Sequence, residues 1–432
     1  MSWKVQRADL VQVISDQGEQ VKSAFRVARQ IEDDIIAAAW PVHAVLGSEA
    51  ELAQRYSVGR DTLREAVRNL GLREVAEMRR GPGGGLVVVA PSMWLVVAAF
   101  GESCRLFDLT DKHLSDARAM VGFIRHYTPL VQAGDAGVQS LGQLFEHSQL
   151  SRDFRAAPSV AHPLLSPSAP PSSSVVTDLF EACLDELSAP NDRRAAVVHN
   201  LVSRTLGHRG LRLVRALADE ITTKARRGER RLGSEDDICE RHDVSKSVLR
   251  QAVRILESRG LLRSQPGRSG GLMIGEPNID SVIDLFVTYL FSQRLDRSEI
   301  RVPMYLTGKI GRQLAAQNLS DERSNELRRI WQSLDALNEK NFATPIRMEI
   351  DAIGNPIIEI FYRALLVFSA RTISPVSLFS DDVVRTFHRN LSQRLEAIGR
   401  RDYLTADVAG DFICGRPLLN RSASIPTAGF PH

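Results

Sequence analysis

Two rows of cationic side chains are the residues of this sequence whose types and spacing could do chemistry. Each row holds three cations at four-residue steps, in one case Arg60, Arg64 and Arg68 and in the other Lys246, Arg250 and Arg254. Four-residue spacing brings side chains onto one face of a helix, and such a face can bind phosphates and other anions. A solvated helix face would look similar, because Asp61 and Glu65 could neutralise part of the first row. We call each row a cationic stripe.

Patterns for catalysis or for metal binding are weaker. The sequence has no HExxH zinc motif and no glycine-rich nucleotide fingerprint, and its acidic residues form no motif that fixes a catalytic pair. The four cysteines lie far apart without a CxxC pair, which indicates buried, reduced thiols. We therefore expect no catalytic residues, no cofactor and no bound metal. An enzyme without a recognisable motif is the alternative.

The composition favours a mostly α-helical protein with several domains. A chain of 432 residues is long enough for about two to four domains. Aromatic residues make up only 6%, and 55 Lys and Arg against 52 Asp and Glu leave a net charge of +3, so any basic surface must be local. The most apolar stretch, residues 86–100, is interrupted by Pro91 and is shorter than the roughly 20 residues that a bilayer requires. We expect a cytoplasmic protein without a membrane partner.

An internal repeat organises the chain. When the sequence is shifted by 186 residues, 46–91 align with 232–277 without a gap, and 18 of the 46 positions are identical. The similarity continues more weakly on both sides. Each copy is therefore a shared head followed by a more diverged tail, and both stripes lie at the same place in their copies.

Three helices are predicted in each head. Apolar periodicity predicts the first helix over 24–40 and 210–226. Ser48 with Glu51, and Ser234 with Asp237, have the spacing of a capping box that starts a short second helix. A tight turn then leads to the third helix.

The third helix carries the stripe. In the first copy Leu63, Ala66, Val67 and Leu70 have the spacing of a core-facing side, which leaves the stripe free on the other side. A strand, the glycine-rich segment 81–85 and a second strand follow, which is the pattern of a β-hairpin. Three helices, a tight turn and a hairpin predict a winged helix-turn-helix in each copy.

Both heads resemble the DNA-binding head of GntR-type transcription regulators. The resemblance is carried in the first copy by LGSEAELAQRYSVGRDTLREAVRNL with RRGPGGGLVVVAP, and in the second by LGSEDDICERHDVSKSVLRQAVRILESRGLL with PGRSGGL. It implies that the stripes approach phosphates and base edges of double-stranded DNA and that glycines lie near the wing tips. The DNA-binding residues implied are Arg60, Thr62, Arg64, Arg68, Gly83, Lys246, Ser247, Arg250, Arg254 and Gly270. Two departures are that Ala50 and Asp236 stand where the family has a basic residue.

The tails resemble the all-helical FCD effector domain of the FadR branch of this family. Arg118 falls where that domain places a carboxylate-binding arginine, which implies a small carboxylate or acyl effector in the first tail. The Asp-x-x-x-His step of the FCD metal site is absent from both tails, and His162 and His388 do not replace it. The domains expected are 24–91 (winged helix-turn-helix 1), 92–205 (degenerate FCD-like domain 1, with a Pro/Ser spacer at 158–174), 206–277 (winged helix-turn-helix 2), 278–415 (FCD-like domain 2) and 416–432 (flexible tail).

These features predict an effector-responsive transcriptional regulator that presents two recognition helices from one chain. The duplicated tails could pair within the chain to form a pseudo-dimer, and a homodimer with four heads is the alternative. Because the two stripes differ in sequence, the expected operator is an imperfect palindrome. A winged-helix module that binds other proteins and not DNA is the alternative function.

Overall fold

The computed structural model describes residues 2–6, 11, 14, 23–81, 83–133, 174–189, 210, 212–265, 271–275, 279–295, 297–333, 344–372, 376–380, 385, 389, 392–393 and 395–400. Helices dominate these residues. The helices are α1 (Ser23–Ala37), α2 (Glu49–Arg55), α3 (Arg60–Leu72), α4 (Met93–Cys104), α5 (Asp111–Ala133), α6 (Val175–Ser188), α7 (212–226), α8 (Glu235–His242), α9 (Lys246–Ser258), α10 (Asp280–Ser292), α11 (Arg297–Asn318), α12 (Asp321–Ser333), α13 (Thr344–Asp351) and α14 (Pro356–Arg371). The strands are β1 (Ser2–Gln6), β2 (Ala76–Arg79), β3 (Gly85–Val88), β4 (Arg231–Gly233), β5 (Leu262–Gln265), β6 (Gly271–Ile274) and β7 (Val376–Ser380).

The chain forms two compact units, and each unit draws on both halves of the sequence. The head unit comprises mainly Gly18–Asp108 and Ala182–Arg294. The tail unit comprises Met1–Gln17, Leu109–Glu181 and Leu295–Ser424. This division differs from the expected order of four domains, because α4 and α10, which the sequence places in the tails, belong to the head unit.

The first part of the head unit is a three-helix core with a hairpin. Apolar side chains of α1 pack against α3, where Leu63, Ala66 and Leu70 are fully buried. Val67, which the sequence places in the core, is only half-buried because it lies at the edge of the apolar face. β2 and β3 form an antiparallel hairpin, in which Arg79 is opposite Gly85.

The same order of elements recurs in the second part of the head unit. α7, α8 and α9 are followed by the antiparallel strands β5 and β6, and β4 pairs with the other edge of β6. The core of this part is one continuous apolar cluster contributed by α7, α8, α9 and the sheet. Leu72, at the end of α3, packs against this cluster, so the two parts of the head unit touch directly.

Two apolar helices, α4 and α10, pack against each other within the head unit. Their positions correspond at the 186-residue shift. Phe100 of α4 contacts Phe286 of α10 edge to face, with ring centroids 6.0 Å apart, and these two residues are themselves 186 positions apart. Contacts between equivalent residues are a feature of isologous interfaces.

The tail unit is a helical bundle built around α5, α11 and α14. α5 and α11 correspond at the same shift and pack against each other, and α14 packs against both. Phe180 of α6 stacks on Phe361 of α14 with centroids 3.9 Å apart. The N-terminal strand β1 pairs antiparallel with β7, so the chain start is tied to this unit. Among the described helices of the whole chain, none combines the length and the apolar character needed to span a bilayer.

Candidate nucleic-acid interface

The geometry around each stripe begins with a capping box. Ser48 accepts a hydrogen bond from the Glu51 N–H and donates its own N–H to the Glu51 carboxylate at 2.7 Å, and Ser234 makes the same pair of bonds with Asp237. Hydrogen bonds from Ser48 and Ser234 hold the pKa of the Glu51 and Asp237 carboxyls below their ordinary values. Both predicted capping boxes are confirmed. They fix where α2 and α8 start, and so position the turns that lead into α3 and α9.

Each stripe lies on the solvent face of its helix. All six cations (Arg60, Arg64, Arg68, Lys246, Arg250 and Arg254) are exposed, as expected for the face opposite the core. Thr62 is half-buried and Ser247 is exposed at the first turn of its helix. Exposed cations on consecutive turns can contact successive phosphates or base edges without moving the core.

Three stripe cations are held by acidic residues of the preceding short helix. Arg64 donates to Glu49 at 2.9 Å, and its counterpart Arg250 lies 3.5 Å from Glu235, which is the counterpart of Glu49. Lys246 contacts Asp236 at 2.7 Å, and the hydrogen bond that the lysine donates to this carboxylate raises the pKa of the lysine. In the part of the chain that the structure describes, Arg60, Arg68 and Arg254 make no ion pair. Exposed pairs of this type stabilise by only about 0–1 kcal/mol, so phosphates can displace them.

The hairpin tip of the first head depends on its glycines. Gly83 has a φ of +73° and open space around it, whereas a Cβ on Gly84 would lie 2.5 Å from the Arg79 carbonyl oxygen. At the start of β3, next to the hairpin tip, a Cβ on Gly85 would lie 2.6 Å from the Gly47 carbonyl oxygen, and Gly271 repeats this approach to Gly233. Gly270, the second predicted wing-tip glycine, lies outside the described residues.

The sequence Gly267-Arg268-Ser269-Gly270-Gly271 matches the GxSxG consensus of serine hydrolases. A nucleophile elbow joins a strand to a helix. Here the segment joins β5 to β6, which are antiparallel neighbours. The match is therefore part of a hairpin connection and does not indicate a hydrolase.

Buried polar contacts join the two parts of the head unit. Arg73, just after α3, donates to Glu32 at 2.9 Å and to the Thr288 hydroxyl of α10. Arg259, just after α9, donates to both carboxylate oxygens of Glu102 of α4, at 2.6 Å for Oε1. Arg73 and Arg259 are equivalent positions in the repeat. Each arginine therefore reaches from its own head to the apolar helix of the other copy.

The first head matches a known protein family. Residues 24–86 match the model of the gntR family of bacterial regulatory proteins. The matched residues cover α1 to α3, β2 and the start of β3, so the first stripe lies within a GntR-type helix-turn-helix. Such a domain binds DNA in transcription regulators. A search of curated protein sequences found no match to this chain.

The remaining predicted site is the effector site at Arg118 in the first tail. Arg118 is exposed on α5, whereas its neighbours Asp116 and Ala117 are buried. In the second tail, Arg312 donates to Glu349 at 3.0 Å, and both side chains are buried. Within the described ranges, no three His, Cys, Asp or Glu side chains are grouped as metal ligands. His162 and His388 lie outside those ranges.

Sequence reasoning missed the contacts at the junction of the heads. The signal present was that arginine occupies both copies at 73 and 259, seven residues after the buried Ala66 and Ala252 and so on the same side of the helix. Cys104 and Cys183, predicted as buried thiols, are buried, and burial raises the pKa of both. Cys239 is half-buried and Cys414 is outside the described residues.

Proposed function

We propose that this protein is a sequence-specific double-stranded DNA-binding transcriptional regulator that presents two recognition helices, α3 and α9, from one chain. The observation that carries the proposal is the pair of exposed stripes, each on the helix after a tight turn, within one compact head unit. The GntR-type match of residues 24–86 supports a DNA-binding function for α3. The 18 identities and the equal order of elements support the same role for α9.

The single-chain arrangement is supported by the contacts between equivalent positions. Arg73 with Thr288, Arg259 with Glu102, and Phe100 with Phe286 are related by the same 186-residue shift. Two-fold operators are bound by two recognition helices spaced by about one helical turn of DNA. This chain contains both helices. The helices differ in sequence, with Arg60 and Asp61 on α3 against Lys246 and Ser247 on α9, and this difference favours two unlike half-sites.

Effector response is the second part of the proposal. A small carboxylate or an acyl group would contact Arg118, which is an exposed residue of α5. The test is a thermal-shift screen of small carboxylates and acyl thioesters on the wild type and on Arg118→Ala. Equal stabilisation of both proteins by a ligand would remove Arg118 from the site.

Duplex binding at several salt concentrations tests the DNA-binding function. Genomic fragments selected by the protein are titrated between about 50 and 200 mM salt, where several phosphate contacts cause a steep loss of affinity. A protein-interaction module would show no appreciable binding to any duplex. That outcome would reject the proposed function.

A further inference from the structure

At the junction between the two heads, Arg73, which is partly buried, and Arg259, which is buried, each meet a carboxylate, but from different places. Arg73 receives its carboxylate from Glu32, which is fully buried on α1 of its own head. Arg259 receives its carboxylate from Glu102 on α4, the apolar helix of the other copy. The side chains of Arg259 and Glu102 are 4% and 6% exposed, so this pair is removed from water.

The two copies differ at the positions of both carboxylates. The counterpart of Glu32 in the second copy is Ala218, and the counterpart of Glu102 is Thr288. Thr288 is fully buried, accepts from Arg73 and lies 2.6 Å from Glu32 Oε1. The first copy therefore carries both carboxylates and the second copy carries neither, and Arg259 of the second copy is paired with Glu102 of the first.

This distribution of carboxylates distinguishes two kinds of pairing. In unlike pairing a first copy meets a second copy, and in like pairing two identical copies meet. If two first copies paired through α4, Arg73 would meet Glu32 and a second carboxylate from Glu102. If two second copies paired through α10, Arg259 would meet Ala218 and Thr288, and these positions offer no carboxylate. Removal of the counter-charge leaves a guanidinium unpaired at the junction, and addition of a second carboxylate beside Glu32 leaves a negative charge unpaired there; both changes cost free energy.

We propose that α4, α10 and the two heads form an interaction surface that accepts only the unlike copy, because only in that pairing do Arg73 and Arg259 each meet one carboxylate from positions 32, 102, 218 and 288. The partner selected is the other copy within the same chain, and the surface acts against pairing of a copy with its own kind in a second chain. The inference rests on the single-chain arrangement in the proposed function, but it does not depend on DNA binding.

Single substitutions in the full chain reproduce the two like pairings. Glu102→Thr gives Arg259 the surroundings of a second copy paired with itself. Thr288→Glu gives Arg73 the surroundings of a first copy paired with itself. Thermal unfolding of the DNA-free protein should show a Tm lower by about 5 to 15 °C in each case.

Relocation of the carboxylate should rescue both variants. Ala218→Glu in the Glu102→Thr background rebuilds around Arg259 the arrangement that Arg73 has, and should recover at least half of the lost Tm. Glu32→Ala in the Thr288→Glu background should do the same for Arg73. Ala225→Glu is the matched control, since Ala225 is half-buried on the same face of α7, seven residues or about 10 Å further along. It should not rescue Glu102→Thr.

Each result decides the proposal without reference to DNA. Rescue by Ala218→Glu and by Glu32→Ala, but not by Ala225→Glu, supports it. A harmless Thr288→Glu, or equal effects of Ala218→Glu and Ala225→Glu, would overturn it. If Glu102→Thr does not fold, the nearly isosteric Glu102→Gln is used for the same comparison. Loss of DNA binding with these couplings intact would reject the proposed function alone.

Discussion

The stripe cations are surface residues whose role depends on what they meet outside the protein. Arg64 and Arg250 are held by Glu49 and Glu235, so their guanidinium groups are partly oriented before DNA arrives. The free energy of such exposed pairs is small, and the same arginines can exchange a carboxylate for a phosphate or a guanine edge.

Removal of both central stripe arginines should weaken specific DNA binding without unfolding the protein. Arg64→Ala and Arg250→Ala each lie off the core and should each reduce the binding free energy by about 1 to 3 kcal/mol on a selected operator at fixed salt. Arg323→Ala removes an exposed cation from the tail unit and serves as the control. Unchanged affinity in the double variant would remove α3 and α9 from the interface.

At the scale of elements, the two capping boxes make the starts of α2 and α8 dependent on pH. The folded-state pKa of Glu51 lies below its ordinary value of 4.5 and that of Asp237 below 3.8. Because the folded pKa values are lowered, this stabilisation is present above the unfolded-state values and is lost as the pH falls through the folded-state values.

The variant Glu51→Gln/Asp237→Asn should therefore lose its stability difference from the wild type in acid. Urea unfolding from about pH 7 to about pH 3 measures this difference, because Glu51 and Asp237 are the carboxyl groups that the wild type has and the variant lacks. The difference should be largest above about pH 5 and should shrink below it. A difference that stays constant over the whole range would show that these carboxylates do not act through their charge.

Two glycines of the first head, one in the hairpin and one on α3, should differ sharply in their tolerance of an added methyl group. Gly84→Ala brings a Cβ to 2.5 Å from the Arg79 carbonyl oxygen and should destabilise the head by about 1 to 3 kcal/mol. Gly71→Ala on α3 is the control, because its Cβ meets its nearest atom at 3.8 Å and alanine favours the helix by about 0.5 kcal/mol. Chemical denaturation compares the two. Equal stabilities would contradict the close approach at the hairpin.

The elements could be predicted from sequence where a local pattern determines them. The capping serines, the apolar side of α3 and the glycine-rich hairpin each act within about ten residues, so spacing alone identifies them. The grouping of α4 and α10 with the heads could not be predicted in this way. It depends on Phe100 meeting Phe286 and on Arg259 meeting Glu102, contacts between residues more than 150 positions apart. Domain boundaries predicted from changes along the sequence assign α4 and α10 to the tails. They therefore place Glu102 and Arg259 in separate domains.

For the whole molecule, we expect one chain to occupy one operator. Light scattering of the protein with and without a selected duplex should give a single chain in both cases, and footprinting should show two unlike half-sites. The physical reason is that α3 and α9 already belong to one compact unit, so a second chain is not needed to supply a recognition helix. Two chains on a symmetric palindrome would contradict the single-chain operator complex.

The head unit is built from two separate segments, Gly18–Asp108 and Ala182–Arg294, so it cannot be completed until late in synthesis. The GntR-type head leaves the ribosome long before α10, which carries Thr288 and Phe286. Until then Arg73 lacks the Thr288 hydroxyl and the apolar surface of α4 lacks α10, and such exposed surfaces make nascent chains prone to aggregation and proteolysis. A prematurely terminated product that ends before residue 280 should therefore be degraded, and should not persist in the cell as a half-length protein that competes for the operator.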